Sequence, residues 1–157
     1  MNIRLIAIGK TDNKSLQTLI DDYIKRLSFY VKFDLEIIPD IKNVKNLSEA
    51  QQKEKEGELI LSKIGPTDQL ILLDENGKTF SSVGFSDFLQ KKMNAGIKTL
   101  VFVIGGPYGF SETVYQKAQG KVSLSEMTFS HQMVRLFVIE QIYRGFTILR
   151  NEPYHHQ

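Results

Sequence analysis

The sequence of 157 residues contains no cysteine and no tryptophan, and it has only four prolines. The absence of cysteine excludes a disulfide framework, cysteine-ligated metals and thiol chemistry, and it fits a reducing compartment. No apolar run approaches the roughly 20 residues that a membrane-spanning helix needs, and no secretory leader pattern is present. We therefore expect a cytoplasmic protein that has no membrane partner.

A strong excess of charge is also absent, since 20 basic residues face 18 acidic ones and the net charge is +2. Any contact with nucleic acid must therefore come from a local group of basic side chains. The three histidines, His131, His155 and His156, all fall in the last third of the chain. Because no carboxylate stands at ligand spacing from them, no metal site is predicted.

The clearest local pattern is an apolar segment, residues 100–104, that runs directly into a glycine-rich turn. Such a segment is typical of a strand buried on both faces of a parallel sheet. Gly105, Gly106 and Gly109 permit a sharp turn and a close approach to a ligand, and Ser111 is placed to cap a following helix. Open α/β sheets bind ligands at this position, although such a turn can also serve only to reverse the chain. The spacing matches neither the dinucleotide-binding fingerprint nor the P-loop, so we predict another kind of small-molecule site.

Apolar periodicity and turn signals predict strands that alternate with helices along the whole chain. The predicted strands cover residues 4–9, 33–38, 69–74, 100–104 and 121–128. The predicted helices cover residues 14–30, 48–64, 81–93, a short segment after Ser111, and 131–149. Residues 41–47 are expected to form a loop, and Asn76 and Gly77 a tight turn. The predicted fold class is α/β, with a mostly parallel sheet flanked by helices in a single domain over residues 1–157.

The last predicted helix is apolar around most of its circumference, which one side of a monomer's sheet does not require. Either the helix is central, or one of its faces meets a second chain, and we favour a homodimer. Its charged residues fall on two faces, His131 with Arg135 and Glu140 with Arg144. The second pair is most simply an intrahelical ion pair. Arg135 needs partners in so apolar a helix, and recognition of phosphate or carboxylate is a common reason to keep such a residue.

Several segments in order resemble one known family over essentially the whole chain. They are RLIAIGK at residues 4–10, KEGE at 55–58, LLDENGK at 72–78, FVIGGPYG at 102–109, SLSEMTFSHQMVRLFVIEQIYRGF at 123–146 and NEPYHH at 151–156. With this set the chain resembles the RlmH family of SPOUT methyltransferases, enzymes that modify large-subunit ribosomal RNA. The resemblance implies a C-terminal trefoil knot, which base rates alone would argue against, and a homodimer packed through the knotted region.

The resemblance further implies S-adenosylmethionine as the methyl donor and N3 of a pseudouridine in 23S rRNA as the acceptor. A small dimer without a separate RNA-binding domain is expected to act on the assembled 70S ribosome. The cofactor residues implied by the resemblance are Leu73, Gly105, Leu124, Ser125, Glu126, Met127, Thr128 and Phe129. Leu73 and Leu124 could equally be core residues, and Glu126 could contact the cofactor or face solvent.

Methyl transfer to a ring nitrogen requires either a general base or stabilisation of the anion. The C-terminal tail supplies two candidates, Tyr154 and His155, and histidine is the better base by residue type. Disorder of the tail is the alternative, because chain ends are often mobile. Arg135, Arg144 and His131 are the candidate RNA contacts, and the two arginines could come from opposite protomers.

Two residues depart from the family pattern: Ser130 stands where we expect proline, and His156 stands where we expect lysine or arginine. Three alternative functions remain open on the sequence. The chain could be a SPOUT methyltransferase that acts on transfer RNA, or a ribosome-associated factor that binds S-adenosylmethionine without catalysis. It could also be a flavodoxin-like module that binds a flavin.

Overall fold

The computed structural model describes residues 1–156, and its strands and helices alternate along most of the chain. The strands are β1 (Asn2–Ile8), β2 (Lys32–Ile38), β3 (Asp68–Thr79), β4 (Thr99–Ile104) and β5 (Gly120–Ser123). The helices are α1 (Lys14–Leu27), α2 (Glu49–Ser62), α3 (Ser82–Asn94), α4 (Glu112–Lys117) and α5 (Met133–Leu149). A single 3-10 turn at Val44–Asn46 interrupts the segment that was predicted to be a loop.

All five strands are parallel, and their order across the sheet is β2-β1-β4-β3-β5. Helices cover both faces, because alternate side chains of a strand point to opposite sides. On β4, Leu100 and Phe102 face the core formed with α1, α3 and α5, while Val101 and Val103 face the core formed with α2 and α4. The predicted α/β class with a parallel sheet is confirmed.

The predicted turn at Asn76 and Gly77 is wrong, because β3 continues through these residues to Thr79. The strand instead changes its register with β5 between Leu73 and Lys78. A side chain at Gly77 would lie 2.6 Å from the backbone nitrogen of Val122. Gly77 therefore permits the close approach of two strands, which is the other common role of glycine inside a strand.

Strand β5 is shorter than predicted, since it ends at Ser123 rather than at residue 128. Residues 124–132 then cross the carboxyl edge of the sheet to reach the end of β1. There the side-chain oxygen of Gln132 accepts a hydrogen bond from the Asp12 amide at 2.9 Å, and its nitrogen donates to the Lys10 carbonyl at 3.2 Å. This crossing places the last helix beside the first strand.

Helix α5 begins at Met133, two residues later than predicted, because Ser130 forms the preceding turn. The Ser130 hydroxyl accepts a hydrogen bond from the Met133 amide at 3.0 Å, as capping side chains do. The buried side of α5, which includes Ile139 and Ile142, belongs to the core shared with α1 and α3. Within residues 1–156, no helix has the length and apolar character that crossing a bilayer demands.

Candidate active site

A cavity of about 430 Å³ opens at the carboxyl ends of the central strands, where the glycine turn was expected to form a site. Seven of the eight predicted cofactor residues line it: Leu73, Gly105, Leu124, Ser125, Met127, Thr128 and Phe129. Glu126 is exposed and is not among the lining residues, so its side chain faces solvent in this structure. His131 and Val134 complete the rim on the side of α5.

We call residues 105–110 the cofactor loop, after the role that the resemblance implies for Gly105, and its shape depends on its glycines. Gly109 has a φ of +81°, and its amide donates to the Gly106 carbonyl at 3.1 Å. A side chain at Gly105 would lie 3.2 Å from the Phe110 ring, and one at Gly106 would lie 2.5 Å from the carboxyl oxygens of Glu56. At both residues, no side chain stands between the backbone and the cavity.

A carboxylate and a phenol that sequence analysis did not assign to the site also line the cavity. The Tyr115 hydroxyl donates to Asp74 Oδ2, and Asp74 Oδ1 accepts from the Asn76 amide at 2.8 Å. Burial and the bond to Asp74 raise the pKa of Tyr115 to about 12. The acid at the end of a buried strand was a visible signal for Asp74, but its partner comes from α4, 41 residues away.

Arg135 is 1% exposed, and each of its three guanidinium nitrogens donates a hydrogen bond inside the protein. Its Nε donates to the His131 carbonyl at 3.0 Å, Nη1 to Thr11 Oγ1 at 3.1 Å and Nη2 to the Ile8 carbonyl at 2.9 Å. Burial lowers the pKa of Arg135, although Asp12 and Asp40 act against this effect. The expected contact with RNA does not fit this burial. The residue instead ties the 124–132 segment to the end of β1.

The C-terminal tail is ordered through a second polar cluster on α5. The predicted ion pair is present, with Arg144 Nη2 donating to Glu140 Oε1 at 2.6 Å. The Tyr154 hydroxyl donates to the same oxygen at 2.8 Å, and Arg144 Nη1 donates to Nδ1 of His155 at 3.2 Å. Burial, followed by the hydrogen bonds to Tyr23 and Glu140, raises the pKa of Tyr154. The hydrogen bond to Glu140 likewise raises the pKa of Arg144.

The structure thus gathers the predicted site residues into two groups rather than one. Arg144, Tyr154 and His155 do not line the cavity. Val134, at the cavity rim, and Arg144 stand ten residues apart on α5, which corresponds to about 15 Å along a helix axis. Within one chain, the cavity-lining residues and the group of Arg144, Tyr154 and His155 therefore lie near different ends of the same helix.

Four exposed apolar side chains extend from the cavity wall onto the outer face of α5. We call them the α5 patch: Met127 and Phe129, which also line the cavity, and Met133 and Phe137. Met127 is 77% exposed, and the rings of Phe129 and Phe137 lie 5.1 Å apart. Met133, Phe137 and Arg144 follow one another at helical spacing, so they share one face of α5. This face is the part of α5 that the chain's own core leaves uncovered.

Comparisons with known proteins identify the family. A family model described as "Predicted SPOUT methyltransferase" matches residues 1–155. A Flavobacterium johnsoniae protein named "Ribosomal RNA large subunit methyltransferase H" is 90% identical over the full length of both chains. Proteins of the same name from Christiangramia forsetii and Porphyromonas gingivalis are 65% and 54% identical, again over the full length of both chains. The chain therefore belongs to the RlmH family of SPOUT methyltransferases.

Proposed function

We propose that the chain acts as one domain, residues 1–157, and transfers a methyl group from S-adenosylmethionine to N3 of a pseudouridine in 23S rRNA. The proposed substrate is the assembled 70S ribosome, the active form is a homodimer, and the location is the cytoplasm. The observation that carries the proposal is the cavity at the strand ends, which seven of the eight expected cofactor residues line. The full-length relatives named as ribosomal RNA methyltransferases support the substrate class. Family membership also implies the trefoil knot, in the part of the chain that crosses from β5 to β1.

The residues present fit a cofactor of this kind. The cavity volume lies within the range of small-molecule sites, and such sites combine apolar walls with a few placed polar groups. Leu73 and Leu124 supply apolar walls, while the backbone of Gly105 and Gly106 is free of side chains. When bound, S-adenosylmethionine supplies an electrophilic methyl group on a positively charged sulfur. No lysine or arginine lines the cavity within residues 1–156, so its described walls do not repel that charge.

The two separated groups of site residues meet if two copies pair through the α5 patch. Pairing of two like chains about a twofold axis puts the same surface against itself. If the two α5 helices run antiparallel, the Arg144 end of one helix lies beside the Met133 end of the other. The tail of each chain would then complete the cavity of its partner, and burial of Phe137 and its neighbours would stabilise the pair.

His155 is the residue of the tail that we assign to the acceptor nitrogen. Because a guanidinium has no acceptor, the Arg144–His155 contact makes Nδ1 the acceptor and leaves the proton of the neutral ring on Nε2. Two alternative roles follow. The Nε2–H can donate to a carbonyl beside N3 and so stabilise the anion. Alternatively, Nδ1 can take the proton of N3 as a general base when Arg144 turns to the RNA. The raised pKa of Tyr154 keeps its phenol protonated, so its role is to hold Glu140. His131, exposed at the cavity rim, is proposed as an RNA contact.

The decisive experiment measures transfer from labelled S-adenosylmethionine to 70S ribosomes that lack the modification, with the methylated position located by primer extension and mass analysis. We expect label at a pseudouridine N3, lost in His155→Ala and Arg144→Ala variants that still bind the cofactor. Cofactor binding without transfer to 70S, 50S or transfer RNA would favour a non-catalytic ribosome factor. Transfer to transfer RNA alone would favour a different SPOUT substrate, and equal transfer to free 23S rRNA would contradict the need for 70S.

Mixed dimers test the composite site separately. A Gly105→Trp chain lacks a usable cavity, and a His155→Ala chain lacks the tail group, so each variant alone should be inactive. After the two chains are mixed and reassociated, a heterodimer contains one intact cavity facing one intact tail. Recovery of activity on mixing is expected if each tail serves its partner. Without recovery, in a mixture shown to contain heterodimers, each chain would have to use its own tail.

A further inference from the structure

The KEGE segment, residues 55–58 on α2, lies directly beneath the cofactor loop. Glu56 is only 4% exposed, although carboxylates are rarely buried. A side chain at Gly106 would lie 2.5 Å from both Oε1 and Oε2 of Glu56. The carboxyl group thus occupies the space that the side chain of any other residue at Gly106 would need.

The next residue of the segment supports the other end of the same loop. A side chain at Gly57 would lie 2.5 Å from Oγ of Ser111 and 3.0 Å from Cγ2 of Val114. Ser111 is the capping residue of α4, and its hydroxyl accepts from the Val114 amide at 3.4 Å. Two consecutive residues of α2 therefore contact the glycine turn and the start of the helix that follows it.

Stability alone does not explain why Glu56 is buried. Among residues 1–156, Glu56 Oε1 has no hydrogen-bond partner, and a buried polar atom without a partner costs free energy. Burial raises the pKa of Glu56, Asp40 acts in the same direction, and the side chain of Gln52 opposes them. A group that is costly to bury and lies against a ligand loop is a candidate for a functional role.

We propose that Glu56 is a positioning residue for the cofactor loop, because its carboxyl group fills the side-chain space of Gly106 and holds the backbone of Gly105 and Gly106 against the cofactor. Glu56 does not line the cavity, so it acts through the loop and not by contact with the ligand. The inference rests on the proposed binding of S-adenosylmethionine at this loop. It predicts that the shape and volume of the residue at position 56 control cofactor affinity.

Cofactor affinity of four purified single variants, measured by calorimetry, tests the inference. Glu56→Ala leaves a void under Gly106, so its affinity should fall about tenfold or more, as expected when a ligand-contacting group is displaced. Glu56→Gln keeps the shape of the side chain, so its cofactor affinity should stay within about threefold of that of the parent. The turnover of both Glu56 variants at saturating cofactor should change little. As a control, Leu27→Ala removes a fully buried side chain at the end of α1, away from the loop, and should lower the melting temperature without weakening cofactor binding. Gly106→Ala should weaken binding because of the contact with Glu56.

The double variant Glu56→Ala with Gly106→Ala gives the sharpest outcome, because removal of the carboxyl group makes room for the new methyl group. We expect it to bind the cofactor better than Gly106→Ala alone, and a backbone amide NMR spectrum should show the Gly105 and Gly106 signals moving back toward their parental positions. Additive losses, or parental affinity in Glu56→Ala with unchanged glycine signals, would overturn the role of Glu56 while leaving cofactor binding intact. A parent protein that does not bind S-adenosylmethionine would overturn both proposals.

Discussion

Replacement of Arg135 by methionine tests the hydrogen bonds of the largest side chain that is fully buried among residues 1–156. Methionine keeps a long side chain that packs among apolar residues, but it donates no hydrogen bond. The Ile8 carbonyl and the Thr11 hydroxyl, which now accept from the guanidinium at 2.9 and 3.1 Å, then lose that partner. The substitution therefore isolates the polar link between α5 and the end of β1.

The size of the effect follows from the groups left behind. A buried acceptor without a partner costs about 1–3 kcal/mol. The contacts of Arg135 are part-buried, so each of its three acceptors falls in the lower part of this range, and relief from burying the guanidinium offsets part of the total. We expect a net loss of about 3 kcal/mol, which in a domain of this size lowers the melting temperature by about 6–12 °C. Because the His131 carbonyl loses its bond as well, the 124–132 segment loosens and cofactor affinity should also fall.

The assay compares thermal unfolding, with and without S-adenosylmethionine, for the parent, Arg135→Met and the matched control Arg26→Met. Arg26 forms an i,i+4 pair with Asp22 at 3.1 Å on the surface, and such exposed pairs contribute little to stability. A melting temperature of Arg135→Met close to that of Arg26→Met would refute the reasoning. Parental cofactor affinity in Arg135→Met would refute the predicted role of the link in shaping the site.

Three further predictions concern the dimer, the tail and the buried acid. Phe137→Glu places a charge in the α5 patch and should shift the protein from dimer to monomer in analytical ultracentrifugation, whereas Phe29→Glu, at an aromatic side chain outside the patch, should not. Tyr154→Phe keeps the ring but loses its bond to Glu140, so it should cost about 1 kcal/mol of stability and slow transfer. The raised pKa of Tyr154 keeps its phenol protonated over the working pH range, so the pH profile of methyl transfer should have the same shape in Tyr154→Phe as in the parent. If a titration step disappears from the profile of the variant, that step belongs to Tyr154 and the expectation is wrong. Glu56→Gln should gain stability relative to the parent as the pH rises above about 4.5, because the raised folded-state pKa of Glu56 means that its ionisation progressively destabilises the parent. A melting-temperature difference that stays constant with pH would contradict this.

The sequence was sufficient to predict the alternating strands and helices, because each depends on a local apolar period. Residues 100–104 are buried as a central strand, and Ser111 caps α4 as expected. The pair Asn76 and Gly77 was misassigned because its turn signal is local, whereas its place in β3 depends on pairing with a strand more than 40 residues later. The order of the strands in the sheet was likewise beyond a local pattern.

A cavity at this edge of the sheet could be predicted because a glycine turn after a buried strand has a general structural meaning. The residues expected to line it came from the resemblance, and their role in cofactor binding stays a prediction. Arg135 shows the limit of residue type, since an arginine in an apolar helix indicates a need for partners but not whether those partners are RNA or the protein's own carbonyl groups. Glu56 was part of a recognised segment, yet its burial depends on the folding of α2 beneath a loop about 50 residues away. Long-range contacts of this kind are set by packing and have no local signature.

The hydrogen bond that Arg135 of α5 donates to the Ile8 carbonyl and the one that the Asp12 amide donates to Gln132 join residues that are 127 and 120 positions apart. During synthesis, β1 leaves the ribosome first but cannot complete these contacts until the last helix has emerged. Contacts so distant along the chain slow folding, because a long loop must close before any of them form. The carboxyl end of β1, an interior strand of the sheet, should therefore lack the contacts that α5 supplies while the chain is still growing. A truncated product lacking α5 should expose this edge and the apolar core side of α1, which makes it prone to aggregation or to capture by chaperones.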